Sequence, residues 1–258
     1  MKKFLAIFLV LSLIAALAAC GAKTENEPTD ENTEAPTDEV IGTEQLAGGF
    51  SIINPEKGAE LPENVQKAFT LALDGLTGAS YTPVAYLASQ VVAGANYAVL
   101  CASKPVVPNA VPTLKVVVIY NDLDGNAEIL RINDFDLGKY LSASDEEAPA
   151  DEPGLAGGWT VNTEFPEANL DEGAKAACDA VLQGVMGVEY QPIACLATQV
   201  VAGINYAVLC KATVSADEGN TNQLRIVTIY AGLDNNYEVL NTATLNLAEV
   251  CGAQDVEE

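Results

Sequence analysis

The chain contains no histidine. With that ring go the Ser-His-Asp and Cys-His arrangements, the histidine general base and the imidazole metal ligand. Basic residues are scarce too: 12 Lys and Arg stand against 36 Asp and Glu, a formal charge of −24. That balance repels phosphate backbones and anionic headgroups, so nucleic acid is not an expected partner. The plain meaning of so much acid is solubility. The six cysteines show no Cys-x-x-Cys spacing, which leaves little room for metal binding or redox catalysis. No carboxylate is marked as a buried base either, so no enzyme, cofactor, metal or small-molecule substrate is expected.

The amino terminus has the pattern of a processing signal. Lys2 and Lys3 precede the short apolar stretch Phe4 to Ala16, too short for a confident membrane span. Leu17-Ala18-Ala19-Cys20 follows and resembles a bacterial lipobox. The resemblance implies cleavage, lipidation of Cys20 and an extracytoplasmic protein anchored to the cell membrane, with more than one acyl chain for stable attachment. Residues 1–20 are accordingly expected to be a signal segment. Residues 21–45 are acidic, Thr- and Pro-containing and almost without large apolar side chains, the composition of a disordered tether. A second acidic stretch, 141–154, reads as a linker, and 251–258 as an acidic tail.

Between these lie two segments, 46–140 and 155–250, that repeat one another. Leu46-Ala47-Gly48-Gly49-Phe50 recurs as Leu155-Ala156-Gly157-Gly158-Trp159. The run Gln90 to Cys101 recurs as Gln199 to Cys210, differing only where Ala95 becomes Ile204. The spacing from double glycine to glutamine is identical in both copies, and the one length change falls in a later loop, where insertion costs least.

Each copy predicts one helix and an antiparallel sheet. Val65, Phe69, Leu73 and Leu76 recur at three- and four-residue steps, as do Ala174, Cys178, Val181, Leu182 and Val185. Pro62 opens the first helix, and Gly78 and Gly187 follow the two ends. Strands are expected at 81–92, 96–101, 114–120 and 127–132, with counterparts at 190–201, 205–210, 224–230 and 237–242. A short strand after the double glycine completes a β-α-β-β-β-β order, an α+β plan of four to five strands under one helix. Turns at Val92-Ala93-Gly94-Ala95 and Asp122 to Asn126 then project from the same end of the sheet, which the first strand can also reach.

At this point the residues resemble a family. Gln-Val-Val-Ala-Gly, then one residue, then Asn-Tyr, is similar to the first binding hairpin of the stefin branch of the cystatins, and the double glycine resembles that family's N-terminal trunk. The resemblance covers both segments. It implies two tandem cystatin-like domains, each with one helix packed on a curved antiparallel sheet. It also implies reversible inhibition of papain-like cysteine proteases by a wedge that fills the active-site cleft. The residues carried over are Gly48, Gly49, Gln90, Val91, Val92, Ala93, Gly94 and Leu123 in the first copy, and Gly157, Gly158, Gln199, Val200, Val201, Ala202, Gly203 and Leu233 in the second. Gly94 and Gly203 permit positive φ and remove bulk at the tip, while the small apolar residues beside them need a partner to cover them.

One departure is plain. Many cystatins carry Pro-Trp in the second hairpin, whereas here it reads Asp122-Leu123-Asp124-Gly125 and Gly232-Leu233-Asp234-Asn235, leaving the leucines as apolar tip contacts. The alternative to inhibition is a non-inhibitory binding module of a surface lipoprotein. Phe50 and Trp159 read equally well as core anchors or as contacts in a protease subsite. The Asp122-to-Asn126 string is a turn rather than a calcium loop, because its glycine comes too early for an EF-hand. Cys101, Cys178, Cys195, Cys210 and Cys251 are expected to be buried thiols, with Cys178 and Cys195 near enough in the pattern for a bridge to stay open.

Overall fold

A computed structural model describes residues 49–52, 60–141, 158–162, 170–215 and 219–252, all within one compact unit running from Val40 to Glu258. The proposed signal segment, Cys20, the acidic tether, Gly48, Gly157 and most of the linker and tail lie outside the described residues.

The first repeat runs β1 (Ser51–Ile52), α1 (Glu63–Ala72), β2 (Ala79–Val92), β3 (Gly94–Pro105), β4 (Thr113–Asn121), β5 (Ala127–Asp134) and a short α2 (Gly138–Leu141). The second runs β6 (Trp159–Val161), α3 (Glu172–Val181), β7 (Val188–Val201), β8 (Gly203–Val214), β9 (Thr221–Gly232), β10 (Tyr237–Thr244) and α4 (Leu247–Cys251). Each repeat forms a five-stranded antiparallel sheet with its strands in sequence order, so the α+β plan holds in both copies. The two terminal helices have no counterpart in the sequence reading. Cys251 is buried, as expected, and closes α4 rather than opening an acidic tail.

The long helices form for local reasons. Pro62 sits at the cap of α1 with φ −51°, and its carbonyl accepts from Gln66 N at 2.8 Å. Asp171 caps α3 by accepting from Ala174 N at 2.6 Å. The buried stripes are Val65, Ala68 and Phe69 in α1 and Ala174, Ala177 and Cys178 in α3. Leu76 and Val185, expected on those stripes, lie past the helix ends and are exposed. The helices stop earlier than Gly78 and Gly187 require, because Gly75 and Gly184 already take φ 76° just beyond the cap.

Strand alternation explains the rest of the packing. On one face of the first sheet, Tyr86, Tyr97, Val99, Cys101, Val117 and Ile119 pack with Val65 and Phe69 of α1. The second sheet does the same under α3 through Cys195, Tyr206, Val208, Cys210, Val227 and Ile229. The opposite faces meet one another: Leu87, Leu100, Val116 and Val118 share a single buried cluster with Leu196, Leu209, Leu224 and Ile226. Both faces of the central strands are therefore covered, which is why they read as continuous apolar runs rather than as clean alternation.

The junction is also tied by polar contacts that repeat across it. Arg131 of β5 donates to the carbonyl of Cys251 at 2.9 Å, and Asn133 donates to the carbonyls of Val250 and Gly252 at 2.9 and 2.8 Å. Asn241, which stands in β10 where Arg131 stands in β5, donates to the carbonyl of Tyr140 at 3.0 Å. Each repeat's edge strand thus satisfies the last carbonyls of the other repeat's terminal helix, which a helix end leaves without intrahelical partners. The contact is self-complementary in the manner of a two-fold dimer interface within one chain.

Candidate functional site

Three segments converge at one end of each sheet. In the first repeat Ser51 pairs with Ser89, so the chain running back through Phe50 to Gly49 heads toward Val91. In the second, Trp159 pairs with Gln199, which brings Gly158, at φ 79°, up to the same hairpin. Phe50 and Trp159 are half-buried against the core shared by the two sheets, so the ring of each anchors the trunk.

The first hairpin is as tight as its sequence suggests. Val92 pairs with Gly94 and Val201 with Gly203, leaving Ala93 and Ala202 alone at the tips. Gly94 takes φ 115° and Gly203 φ 133°, backbone that favours glycine. A Cβ on Gly94 would sit 3.0 Å from Asp122 Cα and closer still to the carbonyl oxygen of Asn121; on Gly203 it would sit 3.1 Å from Gly232 Cα and press on the carbonyl of Ala231. The glycine therefore also makes room for the neighbouring strand, a reason internal to the fold.

Strand pairing sets the second hairpin beside the first, because Ala95 pairs with Asn121 and Gly203 with Gly232. Asp122 N donates to Asn126 O at 3.0 Å, and the Asp122 carboxylate accepts from the amides of Asp124 and Asn126 at 2.9 and 2.8 Å and from Asn126 Nδ2 at 2.8 Å. The Asn126 side chain first, and the backbone amides after it, hold this carboxyl below its ordinary range. In the second repeat the turn keeps its shape with different residues: Gly232 N donates to Asn236 O at 2.8 Å, and Asn235 at φ 61° stands where Gly125 has φ 83°. The turn uses its acids to satisfy its own amides. Among the described residues no group of three or more Cys, Asp or Glu is placed to hold a metal ion.

The tips expose apolar carbon in a chain of strong negative charge. Val91 is 76% exposed and Leu123 84% in the first repeat, with Val200 84% and Leu233 88% in the second. Val92, Ala93, Val201 and Ala202 are exposed beside them. Gln90 and Gln199, grouped with these residues in the sequence, point into the ladder instead: Asn96 Nδ2 donates to Gln90 Oε1 and Asn205 Nδ2 to Gln199 Oε1, both at 2.6 Å.

Two residues that sequence reasoning missed complete the site. Tyr120 Oη donates to the carbonyl of Ala93 and Tyr230 Oη to that of Ala202, again both at 2.6 Å. The signal available was their recurrence at matching positions of the two repeats, masked by the ordinary preference of strands for tyrosine.

The five described cysteines are free and buried. Burial pushes Cys178, Cys195 and Cys251 up to about 12 and raises Cys101 and Cys210 well above the ordinary thiol range, so none is a ready nucleophile at neutral pH. Among the described residues no helix is long and apolar enough to cross a membrane. No family model matches the chain, and no curated protein matches it.

Proposed function

We propose that this chain is a lipid-anchored surface protein presenting two cystatin-like heads, each a reversible, competitive inhibitor of papain-like cysteine proteases. The observation that carries the reading is the convergence, twice over, of trunk, first hairpin and second hairpin at one sheet end with exposed valine and leucine at the tips. A cleft that binds extended peptide is narrow and largely apolar. Small aliphatic tips on a tight, two-hairpin edge suit it, and such an edge lays no scissile peptide over the nucleophile. The order of strands and the helix across each sheet support the resemblance to cystatins.

Inhibition here is occlusion, so it requires no catalytic group, metal or cofactor. Each tip leaves water when it enters the cleft, and burying one valine or leucine side chain contributes about 1.5–3 kcal/mol. Two heads in one molecule raise the effective concentration of the second once the first has engaged, where the targets permit it. Acylation of Cys20 would hold both heads at the outer face of the membrane.

Papain titrated with the purified full chain tests the reading. Loss of activity that substrate competes away, with the chain recovered uncut, supports it. Full activity at micromolar chain sinks it and favours the second reading, a non-inhibitory binding module, which the missing Pro-Trp pair recommends. Replacing Cys20 by Ser tests the anchor separately: the protein moves from the membrane fraction to the soluble one, and a protein that stays soluble in both forms would refute lipidation.

A further inference from the structure

We propose that Tyr120 and Tyr230 are positioning residues, each clamping the bare tip of the first hairpin to the strand that carries the second; the consequence for protease binding rests on the inhibitor reading. Ala93 lies outside the ladder, since Val92 and Gly94 pair on either side of it. Its carbonyl, at an exposed tip, is met by Tyr120 Oη at 2.6 Å. Tyr120 is itself fixed between Asn96 of β3 and Glu128 of β5, so one hydroxyl couples the tip to the middle of the sheet. The same set recurs around Tyr230, which pairs with Asn205 and Glu238 and reaches the carbonyl of Ala202 at 2.6 Å.

Beneath each tip the hydrogen bond from Asn96 to Gln90, or from Asn205 to Gln199, forms a second rung. The clamp is kept although the surroundings differ: Asn121 beside it becomes Ala231, Ala95 becomes Ile204, and Asp122 becomes Gly232. A generic packing contact would be expected to drift with such neighbours.

The position of the bond decides what it does. Both partners lie at the exposed end of the sheet, where water can replace either one, so its loss leaves global stability nearly unchanged. What it removes is freedom of a one-residue tip that must be ordered in any complex. A tip ordered beforehand loses less entropy on binding, and that gain appears mainly as slower dissociation.

The test is the full-length Tyr120→Phe/Tyr230→Phe variant, which deletes only the two hydroxyls. Backbone ¹⁵N order parameters of Ala93, Gly94, Ala202 and Gly203 are measured on the free protein, and papain dissociation is measured separately. The expected result is a fall at the tips from about 0.85 to below about 0.6. Papain dissociation is expected to quicken about three- to tenfold, with an unchanged melting midpoint. Unaltered tip order overturns the proposal. So does an equal loosening in a Tyr97→Phe control, whose hydroxyl accepts from Asn64 on the helix and lies away from the tip. If the unaltered chain leaves papain untouched, the inhibitor reading falls while the order parameters still decide the clamp.

Discussion

Replacing Gly94 by Ala separates two demands that the tip glycine meets at once. One is conformational: at φ 115° an added Cβ costs about 1–2 kcal/mol. The other is space, because that Cβ would meet the backbone of Asn121 and Asp122, which has no flexible end to swing away. Crowding of this kind adds about 1–3 kcal/mol. Gly78 provides the comparison, since it too has positive φ, 95°, but nothing lies within 4 Å of its missing Cβ. For a cooperative unit of this size each kcal/mol lowers the midpoint by about 2–4 °C. Gly78→Ala should therefore lower Tm by about 2–8 °C and Gly94→Ala by about 4–20 °C, followed by circular dichroism at 222 nm. Equal losses in the two variants would refute the claim that Gly94 is dictated by the neighbouring strand. The same arithmetic makes substitution of Gly94 a poor probe of binding, because the hairpin shifts along with the contact.

Cleaner probes lie beside it. Val91→Ser with Val200→Ser should leave Tm within about 1 °C, as both side chains are exposed, yet weaken papain inhibition about ten- to a hundredfold by removing apolar surface from the complex. At the junction, Arg131→Ala removes a charged donor to the carbonyl of Cys251 and should cost about 1.5–3 kcal/mol, lowering Tm by about 3–12 °C while unfolding stays a single transition, as calorimetry would report. The buried thiols set a pH dependence. Their folded pKa values are raised from 9.0, so the stability they confer is complete below about pH 9 and is lost as pH climbs toward 12. Tm should fall between about pH 9 and 12, and Cys178→Ala should flatten that slope; a slope unchanged by the substitution would contradict the assignment.

Local pattern made the hairpins legible before any coordinates. Gly94 between small apolar residues, repeated as Gly203 at a fixed distance from the double glycine, specifies a tight turn, and the turn is there. The helices were legible in their first two turns from the apolar stripe, with Pro62 marking the start of α1, and misread at the end, where Gly75 competes with Gly78 as the stop. The shared core was not legible. A strand such as Tyr97 to Cys101 is apolar on both faces, and nothing in that run says whether the second face meets a helix, a sheet or another chain. The contacts that answer it, such as Arg131 with Cys251, join residues far apart in sequence and use unremarkable residue types. The bond between Gln90 and Asn96 was hidden for a similar reason, since the partner across the strand becomes apparent only once the register is known.

The inhibitor reading meets its most direct test in the equilibrium between the full chain and active papain. Titration calorimetry with a fluorogenic activity assay on the same samples should give tight binding that abolishes turnover, is relieved by competing substrate, and weakens when Val91 and Val200 become serine. Absence of heat and of inhibition at micromolar concentrations, or inhibition indifferent to those two valines, would contradict it.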